Sequence, residues 1–172
     1  IEEGYGLNET AVKKIIDDNN QLLITVDCGI TALKEIELAQ NNAIKTIITD
    51  HHQPGVNLPD AEAIINPKVK DESYPFERLA GVGVAFKLCQ GIVKKIDGKS
   101  IIPELYTHLD LVAVGTVADI VSLQQENRIL VSEGINKLKN TDKKVSKFYC
   151  LNLVLMIKIL ALAILVILLH LL

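Results

Sequence analysis

The sequence predicts an α/β fold, a parallel sheet flanked by helices. Two observations carry that prediction. Leu22-Leu23-Ile24-Thr25-Val26 and Ile44-Lys45-Thr46-Ile47-Ile48-Thr49 are short runs rich in aliphatic and β-branched residues. Each stops at an acid and then at glycine or proline: Asp27-Cys28-Gly29 and Asp50-His51-His52-Gln53-Pro54-Gly55. Between the runs, Leu33, Ile36 and Ala39 recur at helical spacing. The chain therefore reads strand, helix, strand, and such a crossover places its strands parallel and right-handed.

Taken in order, Gly4-Tyr5-Gly6 is a turn, and Asn8 is a helix N-cap with Glu9 in the favourable first turn. Val12, Ile15 and Ile16 form one apolar face. The run at 22–26 has almost no polar alternation, as expected of a strand covered on both faces. Thr31 is placed to cap the helix that follows, which Asn41-Asn42 closes. Residues 61–65 predict a third short strand, stopped by Asn66-Pro67. Residues 68–78 are polar, carry Pro75 and read as loop. Residues 79–88 open a helix running to about Ile96. Its glycine-rich start, with Gly81 and Gly83, suits either an anion on free N–H groups or close packing through small residues. Residues 127–138 read as an amphipathic helix.

Composition sets bounds. The 172 residues suffice for one domain with a core, or for a domain plus a fragment. A net charge of -3 leaves no global basic field, so it neither demands nor excludes a nucleic-acid partner. With no Trp, four Tyr and three Phe, binding of single strands mainly by aromatic stacking is disfavoured. Cys28, Cys89 and Cys150 show no CxxC spacing; they fit neither a disulfide framework nor a zinc site, and suit a reducing, cytoplasmic compartment. The opening Ile1-Glu2-Glu3 lacks an initiator Met and a signal peptide, and reads as the interior of a longer chain.

The chemistry gathers at the strand ends. In open α/β sheets ligands bind outside the carboxyl ends of the strands. Neighbouring strands lie about 4.8 Å apart, so Asp27 on one tip and Asp50, His51 and His52 on the next can share one or two metal ions. Asp119 stands amid Val117, Ala118, Ile120 and Val121. A carboxylate there is costly unless it is paired, on a metal, or at a helix end facing water.

Four ordered motifs resemble those of the DHH phosphoesterase superfamily: Val26-Asp27-Cys28-Gly29, Thr49-Asp50-His51-His52, residues 79–87, and Gly115-Thr116-Val117-Ala118-Asp119. Glu3-Gly4-Tyr5-Gly6-Leu7 and the long motif at 79–88 resemble the RecJ-type single-strand-specific DNA exonucleases more than other branches. The resemblance covers about residues 1–140. It implies a phosphoesterase domain run on two ions of Mn²⁺ or Mg²⁺. It implies that Asp27 bridges the ions, that His51 and Asp119 ligate one of them, and that His52 contacts the scissile phosphate. Asp50 would orient the histidines. A phosphate-facing role for Gly81 and Gly83 is a further expectation from the helix start.

The sequence departs from that family twice. The aspartate-rich motif that the family carries on its first strand is not found here, so the domain reads as incomplete at its N-terminus, and this chain is expected to be inactive in isolation. After Asn140, residues 141–172 form a lysine-rich stretch and an almost wholly aliphatic tail. Three readings of residues 151–172 stand open. A membrane anchor is physically allowed: Lys158 costs roughly 3 kcal/mol near mid-span while each Leu or Ile returns about 0.5. A buried helix would need cover on every side. A shifted reading frame would also produce such a tail, and the mismatch with the family favours it.

The expected activity is metal-dependent phosphodiester hydrolysis, a single-stranded-DNA-specific 5′ to 3′ exonuclease of repair and recombination. The alternatives are a phosphoesterase of the same superfamily acting on oligonucleotides or cyclic dinucleotides, and a non-catalytic remnant. Single-stranded DNA is the expected partner. The resemblance adds single-strand-binding protein and a helicase, and a membrane only if the tail is native.

Overall fold

The computed structural model describes residues 6–70, 73–98 and 103–139. The aliphatic tail and the first five residues lie outside the described residues. Helix α1 (Glu9–Asp17) starts as expected at Asn8, whose side chain accepts a hydrogen bond from the Ala11 N–H at 2.9 Å. Strand β1 (Leu22–Val26), helix α2 (Leu33–Asn41) and strand β2 (Lys45–Thr49) follow. Strand β3 (Ala63–Ile65) completes a parallel sheet in the order β1-β2-β3. Val26 stands beside Thr49 and Thr49 beside Ile65, so the three strands end level. Helices α3 (Gly81–Asp97), α4 (Pro103–Tyr106), α5 (Leu109–Ala118) and α6 (Gln125–Leu138) complete the described fold.

Helices cover both faces. Val12 of α1, Ala39 of α2 and Ile44 form one apolar cluster, with Leu23 of β1 packed against it. The other cluster joins Val84 and Phe86 of α3 to Leu109 and Val112 of α5 and Leu130 of α6, with Phe76 and Leu79 beneath them. Ile65 of β3 packs on this second cluster. The α5–α6 pair is antiparallel and close: a Cβ added at Gly134 would lie 2.2 Å from the Leu109 carbonyl oxygen. That approach needs glycine.

Three expectations are corrected. Strand β1 is covered on one face only, with Leu22, Ile24 and Val26 exposed by 49%, 45% and 53%. Side chains alternate along a strand, and β1 lies at the edge of the described sheet, with its row of Leu22, Ile24 and Val26 left uncovered. The N-cap of α2 is Ala32, without a side-chain bond, and not Thr31. Of the expected inner face of α2, Ile36 and Ala39 are buried but Leu33 is 41% exposed. Helix α4 was not read from the sequence.

Candidate metal centre

The site is built at the level ends of β1 and β2. One residue beyond β1, Asp27 takes a left-handed backbone (φ 62°) while its N–H donates to the Thr49 carbonyl at 2.9 Å. The chain thus stays paired to β2 as it turns away. Thr25 secures the turn by donating its hydroxyl to the Cys28 carbonyl at 2.7 Å. One residue beyond β2, Asp50 is 1% exposed. Its Oδ2 accepts from the Ile30 N–H at 2.9 Å, and its Oδ1 from the N–H groups of His51 and His52 at 2.7 and 3.1 Å. Burial alone would raise the Asp50 pKa, but these N–H donors and the His52 ring hold its carboxyl below the ordinary value.

His51 turns inward. Its Nδ1 bonds the Leu79 carbonyl at 3.1 Å; a carbonyl only accepts, so Nδ1 carries the proton. That leaves Nε2 facing Asp27 Oδ1 at 3.1 Å and Asp119 Oδ2 at 3.3 Å. Asp119 is the C-cap of α5, its N–H held by the Gly115 carbonyl at 3.0 Å. His51 Nε2 and Asp119 Oδ2 are buried and complete no hydrogen bond among the described residues. A cation among Nε2 and the two carboxylates would satisfy both, so the donor set fits a divalent ion. The mixture of imidazole and carboxylate suits Mn²⁺. Burial pushes the Asp27 pKa up against the opposing pull of His51, and the nearby negative charge of Asp119 adds to the rise. Bringing a cation here would reverse that penalty.

His52 turns outward, with its side chain 47% exposed. Its Nδ1 lies 2.7 Å from Asp50 Oδ1, which fixes the ring and directs Nε2 away from the carboxylate. Its main-chain carbonyl accepts from Asn66 Nδ2 at 2.9 Å. Asp27, His51 and His52 each offer a ligand atom within 4.8 Å of the others.

Comparison with known proteins gives the family. The model of the DHH family, N-terminal domain, matches residues 2–116. The chain belongs to the DHH family. It is 44% identical over 143 residues to the single-stranded-DNA-specific exonuclease RecJ of Bacillus subtilis, covering 83% of this chain and 17% of that protein. To the RecJ of Escherichia coli it is 45% identical over 146 residues, 81% of this chain and 25% of the relative. The chain therefore spans between a sixth and a quarter of these relatives. A crystal structure of exonuclease RecJ bound to manganese superposes with a TM-score of 0.68 at 36% identity, over 78% of this chain and 33% of that one. RecJ of Thermus thermophilus in complex with Mn²⁺ gives 0.65 at 31% identity, over 77% and 19%.

Within the DHH family frame, all the residues expected from sequence except Gly83 sit at or beside this cluster. The structure brings together Asp27, His51 and Asp119, with Asp50 behind His52. Asp50 orients the His52 ring directly; the His51 ring is oriented by the Leu79 carbonyl instead. Gly81 has a steric role: a Cβ there would lie 2.0 Å from Asp27 Oδ1. Only glycine lets α3 start against that carboxylate. Gly83 is buried, where a Cβ would press on Leu79 at 3.2 Å. Sequence reading passed over Leu79, whose contribution is a main-chain carbonyl, and over Asn66 and Asn127, which are buried and bonded across long separations. Asn66-Pro67 was visible only as a strand stop.

Proposed function

We propose that this chain is a catalytic segment of a RecJ-type single-stranded-DNA-specific exonuclease, hydrolysing phosphodiester bonds from the 5′ end with Mn²⁺ or Mg²⁺. The observation that carries the reading is the meeting of Asp27, Asp119 and His51 Nε2 around one point, in a chain 44–45% identical to RecJ proteins. When bound, paired metal ions supply an activated water and a charge clamp on the leaving oxygen. Asp27, His51 and Asp119 would hold the metal. Leu79 fixes His51 in the tautomer that leaves Nε2 free for it. His52, aimed outward and held by Asp50, contacts the phosphate. The first-turn N–H groups of α3 start at Gly81, which abuts Asp27, and with that of Gly83 further in would add donors for the same anion. Residues 1–140 form the phosphoesterase segment, and residues 141–172 lie beyond it. The finer assignments to repair and recombination, to a cytoplasmic location, and to single-strand-binding protein and helicase partners follow from the same reading. Among the described residues no helix is long and apolar enough to cross a membrane.

The test uses the full-length protein that carries this segment, with 5′-labelled single-stranded DNA and Mn²⁺. Mononucleotide release is expected, with loss in His51→Ala. Asp27→Ala should cost more activity than His52→Ala, whose phosphate contact is worth about 2 to 4 kcal/mol if made in the transition state. The reverse order at saturating Mn²⁺ would overturn the division of roles.

A further inference from the structure

We infer that Asn127, buried in the first turn of α6 and outside the ligand cluster, is the positioning residue that holds His51 and Asp119 at a common point. This rests on the metal-site reading above. Asn127 is fully buried. Its side-chain amide donates twice, to the Arg78 carbonyl at 2.6 Å and to the Ser122 carbonyl at 3.0 Å. Arg78 immediately precedes Leu79, whose carbonyl fixes the His51 ring through Nδ1 at 3.1 Å. Ser122 lies three residues after Asp119 in the loop that joins α5 to α6. One planar NH₂ group therefore ties together the two loops that set the separation of His51 Nε2 and Asp119 Oδ2, 3.3 Å.

The other half of the amide argues against a role in stability alone. Asn127 Oδ1 is buried and has no hydrogen-bond partner among the described residues. A buried acceptor left unmet is unfavourable, and an aliphatic side chain of the same size would avoid it. The two donated bonds are what an aliphatic residue cannot supply. Their recipients are main-chain carbonyls, so the tie fixes backbone positions and not side-chain rotamers.

The test compares the full chain with Asn127→Leu, which keeps the branched four-atom shape and removes both donors, and with Asn127→Ser as a smaller second variant. Three quantities are read: the melting temperature, the Mn²⁺ dissociation constant from the free-ion electron paramagnetic resonance signal, and the His51 ring resonances without metal. His51→Ala assigns the last and serves as the binding control. A folded Asn127→Leu is expected to bind Mn²⁺ at least about tenfold more weakly. Its His51 Nδ1–H resonance should shift or broaden as the Leu79 carbonyl moves. Asn127→Ser decides if the Leu variant fails to fold. An unchanged dissociation constant together with an unmoved His51 resonance in a folded variant would overturn the inference. If the unmodified chain takes up no Mn²⁺, the metal reading fails, and the His51 resonance alone decides whether Asn127 positions the ring.

Discussion

Asp27 and Asp50 are the same residue type, one step beyond neighbouring parallel strands whose ends are in register. Asp50 is 1% exposed, accepts three main-chain N–H bonds and the contact of the His52 ring, and is held ionised below the ordinary carboxylate range. Asp27 has a side chain 42% exposed, and burial with the nearby Asp119 pushes its pKa up. Place in the sheet is therefore not what divides their work. Asp50 is an anion that the backbone has already neutralised, and its business is to shape the loop carrying both histidines. Asp27 is an anion penalised by burial and by the carboxylate of Asp119 beside it, a pairing of like charges that a cation would relieve.

The largest expected effect breaks this contrast directly. Asp50→Ala leaves buried N–H groups of Ile30, His51 and His52 without their acceptor, and should cost about 3 kcal/mol of unfolding free energy. Asp27→Asn should change stability by less than about 1 kcal/mol while abolishing Mn²⁺ uptake. Equal losses in urea denaturation would erase the distinction. Next in size is Gly81→Ala. The new Cβ would collide with the Asp27 carboxylate, so Asp27 must rotate away. The chain should still fold, with Mn²⁺ affinity down at least about tenfold. An unchanged metal titration would remove Asp27 from the ligand set.

The smallest effect gives the scale of a carboxylate outside the site. Glu126 accepts from the Tyr74 hydroxyl at 2.5 Å and pairs with Lys87. Burial, then the bond to Glu126, raises the Tyr74 pKa. Its stabilising contribution is complete below the ordinary tyrosine value near pH 10 and is lost as pH rises towards the higher folded value. Tyr74→Phe should cost about 1 kcal/mol at pH 8 and narrow the gap to wild type above about pH 10. A gap that widens at alkaline pH in thermal melts would contradict the assignment.

The site was legible where chemistry and chain order coincide. Asp27, Asp50, His51 and His52 each follow a run that only a strand explains, and Asp119 stands out as an acid among aliphatics. The parallel pairing followed from the intervening helix. What stayed hidden depends on neighbours distant in sequence. An aliphatic run such as 22–26 does not say whether its strand lies inside a sheet or at its rim, so the exposure of Leu22, Ile24 and Val26 was missed. The room that Gly81 clears for the Asp27 carboxylate was not visible, because a glycine that frees N–H groups and one that makes space are the same letter. Asn127 looked like the polar start of an amphipathic helix. Its partner Arg78 lies 49 residues away, and no local pattern reports it.

Asp27 follows the first strand, His51 the second, and Asp119 closes a helix that comes after three further elements. An ion held by all three is a reversible cross-link across most of the described fold. It binds the folded chain and finds no such arrangement in the unfolded one. By mass action, free ion at a hundredfold its dissociation constant would add about 2.7 kcal/mol to unfolding. The melting temperature should therefore climb with the logarithm of Mn²⁺ concentration and fall back with chelator, making the fold itself a gauge of the cation supply around it.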